Sequence, residues 1–196
     1  MKPKGGRSTG GTVWINAEIL GYISGASAVY ATARATSTGY NQVADTAVIG
    51  QYLLGAYECD RTFLSFDTSA LPSGAAVSAA TLYVVASGVD QSDTDFNVQV
   101  YRYVWIETLA ANQEANYDGA YGGTATLEGT LRATADGFVS GTTYSMTLSA
   151  AGVNLSGDSK YTIVSSADVS GAAPIGLEVV RIARTPLPIL EVTYTL

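Results

Sequence analysis

Residues 57–86 read YECDRTFLSFDTSALPSGAAVSAATLYVVA. Arg61–Asp67 is a strand by its alternation, with Leu64 and Phe66 on one face and Phe63 and Ser65 on the other. Ser69–Gly74 (SALPSG) is a turn, because Pro72 fixes φ and Gly74 is free to take a positive one. Val77–Ala86 follows as a second strand, rich in Val, Thr and Tyr. The stretch is therefore strand, turn, strand.

The same signature continues in both directions. Thr12–Tyr22, Thr46–Leu54, Thr124–Ala133, Thr143–Leu148, Tyr161–Ser165 and Leu177–Ala183 are short runs bounded by Gly, Pro, Asp and Ser. Phe96–Ile106 alternates most clearly, with Tyr101, Tyr103 and Trp105 on the face opposite Val98, Val100 and Val104. Ile189–Leu196 places Leu190, Val192, Tyr194 and Leu196 on one side. Ala28–Thr36 fits neither period well. Thr108–Asn116 is expected as a short helix and Ala150–Leu155 as a helical turn. About nine or ten strands without a long helix predict an all-β protein, an antiparallel two-sheet jelly-roll sandwich. A single domain is expected over residues 18–196, behind a flexible arm over residues 1–17.

Composition narrows the chemistry. The chain has 196 residues, 47% apolar and only 14% charged, which is ample for one core. Histidine is absent, so a Ser-His-Asp triad, a His general base and an ordinary zinc site are excluded. The single Cys59 lies between Glu58 and Asp60, whose charges oppose thiolate formation. A net charge of −7 argues against nucleic acid as a partner. No apolar run is long enough to span a membrane as a helix. The N-terminus carries charge but no following apolar region, so synthesis and release in the cytoplasm are expected. Lys2, Lys4 and Arg7 precede the first acid, Glu18; removing these three cations takes the net charge from −7 to −10. A basic arm on an acidic body reads as a docking tail.

Three further groups are candidates. Asp90, Asp93, Asp95 and Asn97 supply oxygen ligands at the density Ca²⁺ requires, although the EF-hand spacing is not met. Tyr101, Tyr103 and Trp105 suit a glycan platform, a subunit contact or the core. Glu107, Glu114, Asp118 and Glu128 offer carboxylates for glycoside cleavage, but their separations are not readable from sequence, and no enzymatic activity is expected.

One pattern is more specific. Arg61, Leu64, Phe66, Asp67, Leu71, Pro72, Gly74, Ala75, Val77, Ala80 and Leu82 fall in a spacing that resembles a segment of jelly-roll domains. These domains occur in bacteriophage virion proteins and in carbohydrate-binding-module-like domains of bacterial surface proteins. Thr147/Leu148, Ser165/Asp168 and Pro188/Leu190/Val192/Tyr194 extend the resemblance towards the C-terminus, and Tyr30–Arg34, Thr38–Tyr40 and Ile49-Gly50 extend it upstream. It implies a non-enzymatic virion structural protein: a capsid decoration, head-fibre or tail-fibre/spike component. Such a protein assembles in the host cytoplasm with itself, as a trimer or lattice, and with other virion proteins. The resemblance brings no catalytic residues. One alternative is a carbohydrate-binding module that uses exposed Tyr or Trp. Another is an extracellular filament subunit that donates Val13–Ile23 as a strand.

Overall fold

A computed structural model describes residues 10–42, 45–88, 91–106, 108–110 and 112–196. Lys2, Lys4 and Arg7 of the expected arm, together with Asp90 and Glu107, lie outside the described residues. Among those described are thirteen strands, three short α-helices and two 3₁₀ turns, Thr134–Asp136 and Ala150–Gly152. The strands are β1 Gly11–Asn16, β2 Ile19–Ser27, β3 Gly39–Asn41, β4 Thr46–Leu53, β5 Tyr57–Asp67, β6 Ala76–Val85, β7 Gln91–Ser92, β8 Asn97–Arg102, β9 Thr126–Ala133, β10 Thr143–Leu148, β11 Asp158–Ser165, β12 Leu177–Ala183 and β13 Ile189–Thr195. The helices are α1 Tyr30–Ala35, α2 Gln113–Gly119 and α3 Ser166–Ser170. The protein is an all-β sandwich of two antiparallel sheets. One sheet has the order β1-β13-β6-β10, and the larger one contains the other strands.

The sheet geometry turns on β5. Tyr57–Asp60 pair with both β2 and β4, whereas Thr62–Ser65 pair with both β2 and β11. A strand has two edges, so β2 occupies one edge throughout and the other passes from β4 to β11. Two branches, β4-β12-β7 and β11-β8-β9, leave β5 at this fork. Arg61 is the residue between them.

Both faces of β5 are covered. Leu64 and Phe66 join Leu82, Val84, Val98, Val100, Ile163, Leu190 and Val192 in the main core between the sheets. Cys59 and Phe63 face a second core with Ile23, Trp105, Leu109, Tyr117 and Val164. Phe63 meets Trp105 edge-on, 5.8 Å between centroids, and Trp105 Nε1 donates to Leu64 O at 3.2 Å. Each such aromatic adds about 1.5–3 kcal/mol by burial.

Several expectations are corrected. The stretch 12–22 is two strands, because the Ala17 amide donates to Pro188 O in one sheet and the Glu18 amide to Ser65 O in the other. The arm is therefore shorter than residues 1–17: Gly11–Asn16 is an edge strand paired along its whole length with β13. Val13–Ile23 is likewise built into its own chain's sheets as parts of β1 and β2. Ala28–Thr36 contains α1, whose Ala33 packs into the second core. The helix expected over 108–116 lies later, at α2. The alternation of Phe96–Ile106 ends at Arg102, where the chain leaves the ladder. Val104 is then 82% exposed while Trp105 turns inward.

Candidate functional site

Most of the residues singled out from sequence hold the fold together. Trp105 and Tyr101 are buried in the second core, and the Tyr103 hydroxyl donates to Ala115 O at 3.2 Å in α2. Trp105 and Tyr101 therefore present no exposed ring, and Tyr103 is half-buried against α2. Asp93 accepts from the Leu177 amide at 2.7 Å, Asp95 from the Thr134 hydroxyl at 3.2 Å, and the Asn97 amide donates to Ser166 Oγ at 2.9 Å. These groups fasten three different elements. Among the described residues no three His, Cys, Asp or Glu side chains converge as a metal site would require. Glu114 accepts from the amide and hydroxyl of Ser37, and Glu128 accepts from the Ser149 amide beside Arg102. Burial, reinforced by Glu114, raises the pKa of Asp118.

At the fork of β5, Arg61 and Asp168 form an ion pair with Nε–Oδ2 at 2.7 Å, both fully buried. Arg61 also donates to Tyr117 O at 2.6 Å, Arg34 O at 2.8 Å and the Tyr121 hydroxyl at 3.2 Å. Its guanidinium lies 3.6 Å from the centroid of Tyr117 and 4.6 Å from that of Tyr121. Burial opposes its charge, but the Asp168 carboxylate outweighs this and raises the Arg61 pKa. Ser165 caps α3 by accepting from the Ala167 amide, which sets Asp168 in place. The cluster joins β5 to all three helices and encloses Arg61 beyond the reach of a ligand.

Beside the fork lies a cleft of about 430 Å³, lined by Tyr22, Thr46, Val48, Tyr52, Leu54, Glu58, Asp60, Leu177, Val179 and Arg181. Its walls follow the ladder. Leu177 pairs with Tyr52, which pairs with Glu58; Val179 pairs with Gly50, which pairs with Asp60; Arg181 pairs with Val48. Gly50, between Val179 and Asp60 in the ladder, has φ +133°, and a Cβ there would lie 2.0 Å from Glu178 O. Asp60 is buried and accepts from the Ser24 hydroxyl. Burial pushes its pKa up to about 7, against the Ser24 hydrogen bond; Glu58 raises it further and Arg181 lowers it. Burial and a hydrogen bond to Glu58 also raise the Tyr52 pKa.

A third region is the outer face of the four-stranded sheet. Trp14 is 59% exposed and stacks on Tyr83 at 5.4 Å between centroids, with the rings 33° apart. The Tyr83 hydroxyl donates to Glu191 at 2.7 Å, and the hydroxyls of Thr12 and Thr193 lie 3.0 Å apart across the strands. Sequence reasoning missed this platform although the signal was present. Val13 and Ile15 pack against the main core, so the alternation of TVWIN turns Trp14 outward.

The fourth region is one end of the larger sheet. Ser27 pairs with Tyr57, and the Leu53 amide donates to Gly176 O. The β2–α1, β4–β5 and α3–β12 connections therefore meet there. They present Val29, Leu54 and Ile175 at 59%, 69% and 80% exposure. Among the described residues no helix is long and apolar enough to cross a membrane. No family model matches the chain, and no curated protein matches it in sequence.

Proposed function

We propose that this chain is a non-enzymatic structural protein of a bacteriophage virion, a decoration, head-fibre or tail-fibre/spike component that assembles with its own copies and with other virion proteins in the host cytoplasm. The observation that supports this best is the apolar end formed by Val29, Leu54 and Ile175. Three exposed aliphatic side chains on adjacent loop tips are costly to leave in water and gain by burial against another subunit. The segment resembling phage jelly rolls is consistent with this reading. Arg61, Leu64, Phe66, Ala80 and Leu82 are all buried framework, so its residues serve rigidity rather than chemistry.

The test is the solution mass of the full chain by light scattering. A trimer or larger assembly is expected, and Val29→Glu with Ile175→Glu should dissociate it. A monomer at every concentration overturns self-assembly.

A glycan-binding role has its own support in the Trp14–Tyr83 pair, beside the Glu191 carboxylate and a row of threonines. An exposed indole on a flat strand face suits stacking against a sugar ring. Retardation on polysaccharide-affinity gels that disappears in Trp14→Ala is the expected result. No retardation on a broad glycan panel removes this reading.

A further inference from the structure

We propose that the cleft at Asp60 receives the basic N-terminal segment, residues 1–9, of a second copy of this chain. The inference rests on the self-assembly reading above and names its contact.

The chemistry of the cleft is that of a receptor for a lysine or arginine side chain. Glu58 and Asp60 lie two residues apart on β5 and line the same wall. Tyr22, Tyr52, Val48, Leu54, Leu177 and Val179 supply aromatic and aliphatic lining beside them. The Glu58 carboxylate binds the cationic head, the tyrosines beside it attract a cation, and aliphatic walls cover the methylene stem. Arg181 stands one row beyond Asp60, on the side away from Glu58. The Glu58 end is therefore the cation-binding end.

The segment MKPKGGRST complements this wall. It carries Lys2, Lys4 and Arg7 and no acid. Lys2 and Lys4 lie two residues apart, so an extended segment laid along the cleft presents both on one face, about 6.5–7 Å apart, to the Glu58 end.

Distance selects the donor. Gly11 pairs with Tyr194, which pairs with Val77 at the start of β6. The far end of β6 meets β12, where Ala86 bridges Ile182 and the Ser87 amide donates to Arg181 O. The row of Gly11 and the near edge of the cleft are thus about nine strand residues apart, roughly 30 Å. The remaining lining residues of antiparallel β12 lie farther still. Lys4 precedes Gly10 by six residues, a reach of at most about 21 Å. The Glu58 row, at Leu177, is four residues farther along β12, roughly 43 Å from the row of Gly11. Lys2 reaches at most about 34 Å from Gly10 with its side chain included, so the occupant of the Glu58 end comes from a neighbour.

The experiment titrates a labelled peptide of residues 1–9 onto the full chain carrying Lys2→Ala, Lys4→Ala and Arg7→Ala, whose own arm cannot compete. Saturable binding is expected, weakened at least tenfold between 0.05 and 0.5 M salt. It should fall at least tenfold when Glu58→Gln and Asp60→Asn are added, or when the peptide lysines are alanine. Mixing the arm-neutralised chain with the Glu58→Gln/Asp60→Asn chain should restore a mass that neither forms alone, because each supplies the part the other lacks. The arm variant changes no residue of the sandwich, so its loss of mass is not a folding defect. Absence of saturable binding, or binding indifferent to Glu58 and Asp60, overturns the proposal. If binding fails while the wild-type chain still forms assemblies that Val29→Glu/Ile175→Glu dissociates, the self-assembly reading stands and only the arm contact falls.

Discussion

Replacing Arg61 by methionine keeps the length and apolar bulk of the side chain but removes five donated hydrogen bonds and the charge paired with Asp168. Breaking a buried ion pair from one side costs about 3–5 kcal/mol, because the remaining charge is left in a poor solvent. Arg34 moderates the loss, since its Nε is 3.3 Å from Asp168 and its side chain is partly exposed. The carbonyls of Tyr117 and Arg34 push the other way, because an orphaned buried acceptor costs about 1–3 kcal/mol. The net expectation is about 4 kcal/mol, a large share of the 5–15 kcal/mol that typically holds a domain. For a chain of this size that is a fall in Tm of roughly 8–16 °C.

The cycle is completed with Asp168→Leu and the double variant. Removing both charges leaves no buried ion, so the double variant should be at least 2 kcal/mol more stable than the sum of the single losses predicts. Urea unfolding of the four proteins reads this through the midpoint at constant slope. A loss below about 1 kcal/mol for Arg61→Met, or an additive cycle, would refute the reasoning that this pair closes the fork.

Three further outcomes are expected. Asp60 has a folded pKa of about 7 against 3.8 when unperturbed, so the native state keeps a proton that the unfolded chain has lost; stability should fall as pH rises from about 4 to 7 and then level. Asp60→Asn should flatten that window in pH-dependent urea titrations and gain up to roughly 4 kcal/mol at pH 8; an unchanged slope contradicts the assignment. The Tyr161 hydroxyl is buried without a hydrogen-bond partner among the described residues, so Tyr161→Phe should be neutral or stabilising by about 1 kcal/mol, and a loss above that in thermal melts rules this out. Gly50→Ala would place a Cβ 2.0 Å from Glu178 O at a positive φ, and should cost about 3 kcal/mol or more or prevent soluble folding; a wild-type melt disproves the close approach.

The sandwich was legible because β-sheet period is local. Val13 and Ile15, Leu64 and Phe66, Leu82 and Val84, and Leu190 and Val192 all enter the main core as their alternation requires. Local reading could not supply the partner across the chain. Arg61 and Asp168 were both visible as pattern residues, yet 107 residues separate them and only the fork of β5 brings them together. The aromatic stripe stayed open between platform, subunit contact and core for the opposite reason. Tyr101, Tyr103 and Trp105 alternate like an exposed face, but the strand stops at Arg102 and α2 packs over Tyr103 and Trp105. Alternation marks two faces and does not tell which of them another layer will hide. Trp14 was the same problem reversed, an outward residue between Val13 and Ile15 whose exposure depends on nothing packing outside β1.

The fork explains why a framework so poor in charge buries an arginine. Where the edge of β5 passes from β4 to β11, the two branches diverge and three helices of five to seven residues fill the gap. Helices that short leave much of their backbone without intrahelical partners. Carbonyls of α1 and α2 and the carboxylate of α3 converge on one point, and only a planar group with several fixed donors can meet them together. Lysine has three donors on a single nitrogen, too few for the five bonds Arg61 makes, and no planar fork to span both oxygens of Asp168. The arginine is therefore a geometric consequence of the forked sheet, and the residues that make the segment recognisable describe the joint rather than a ligand. What the joint leaves exposed is Trp14 on the outer sheet, the aliphatic loop tips and the acidic cleft beside the fork.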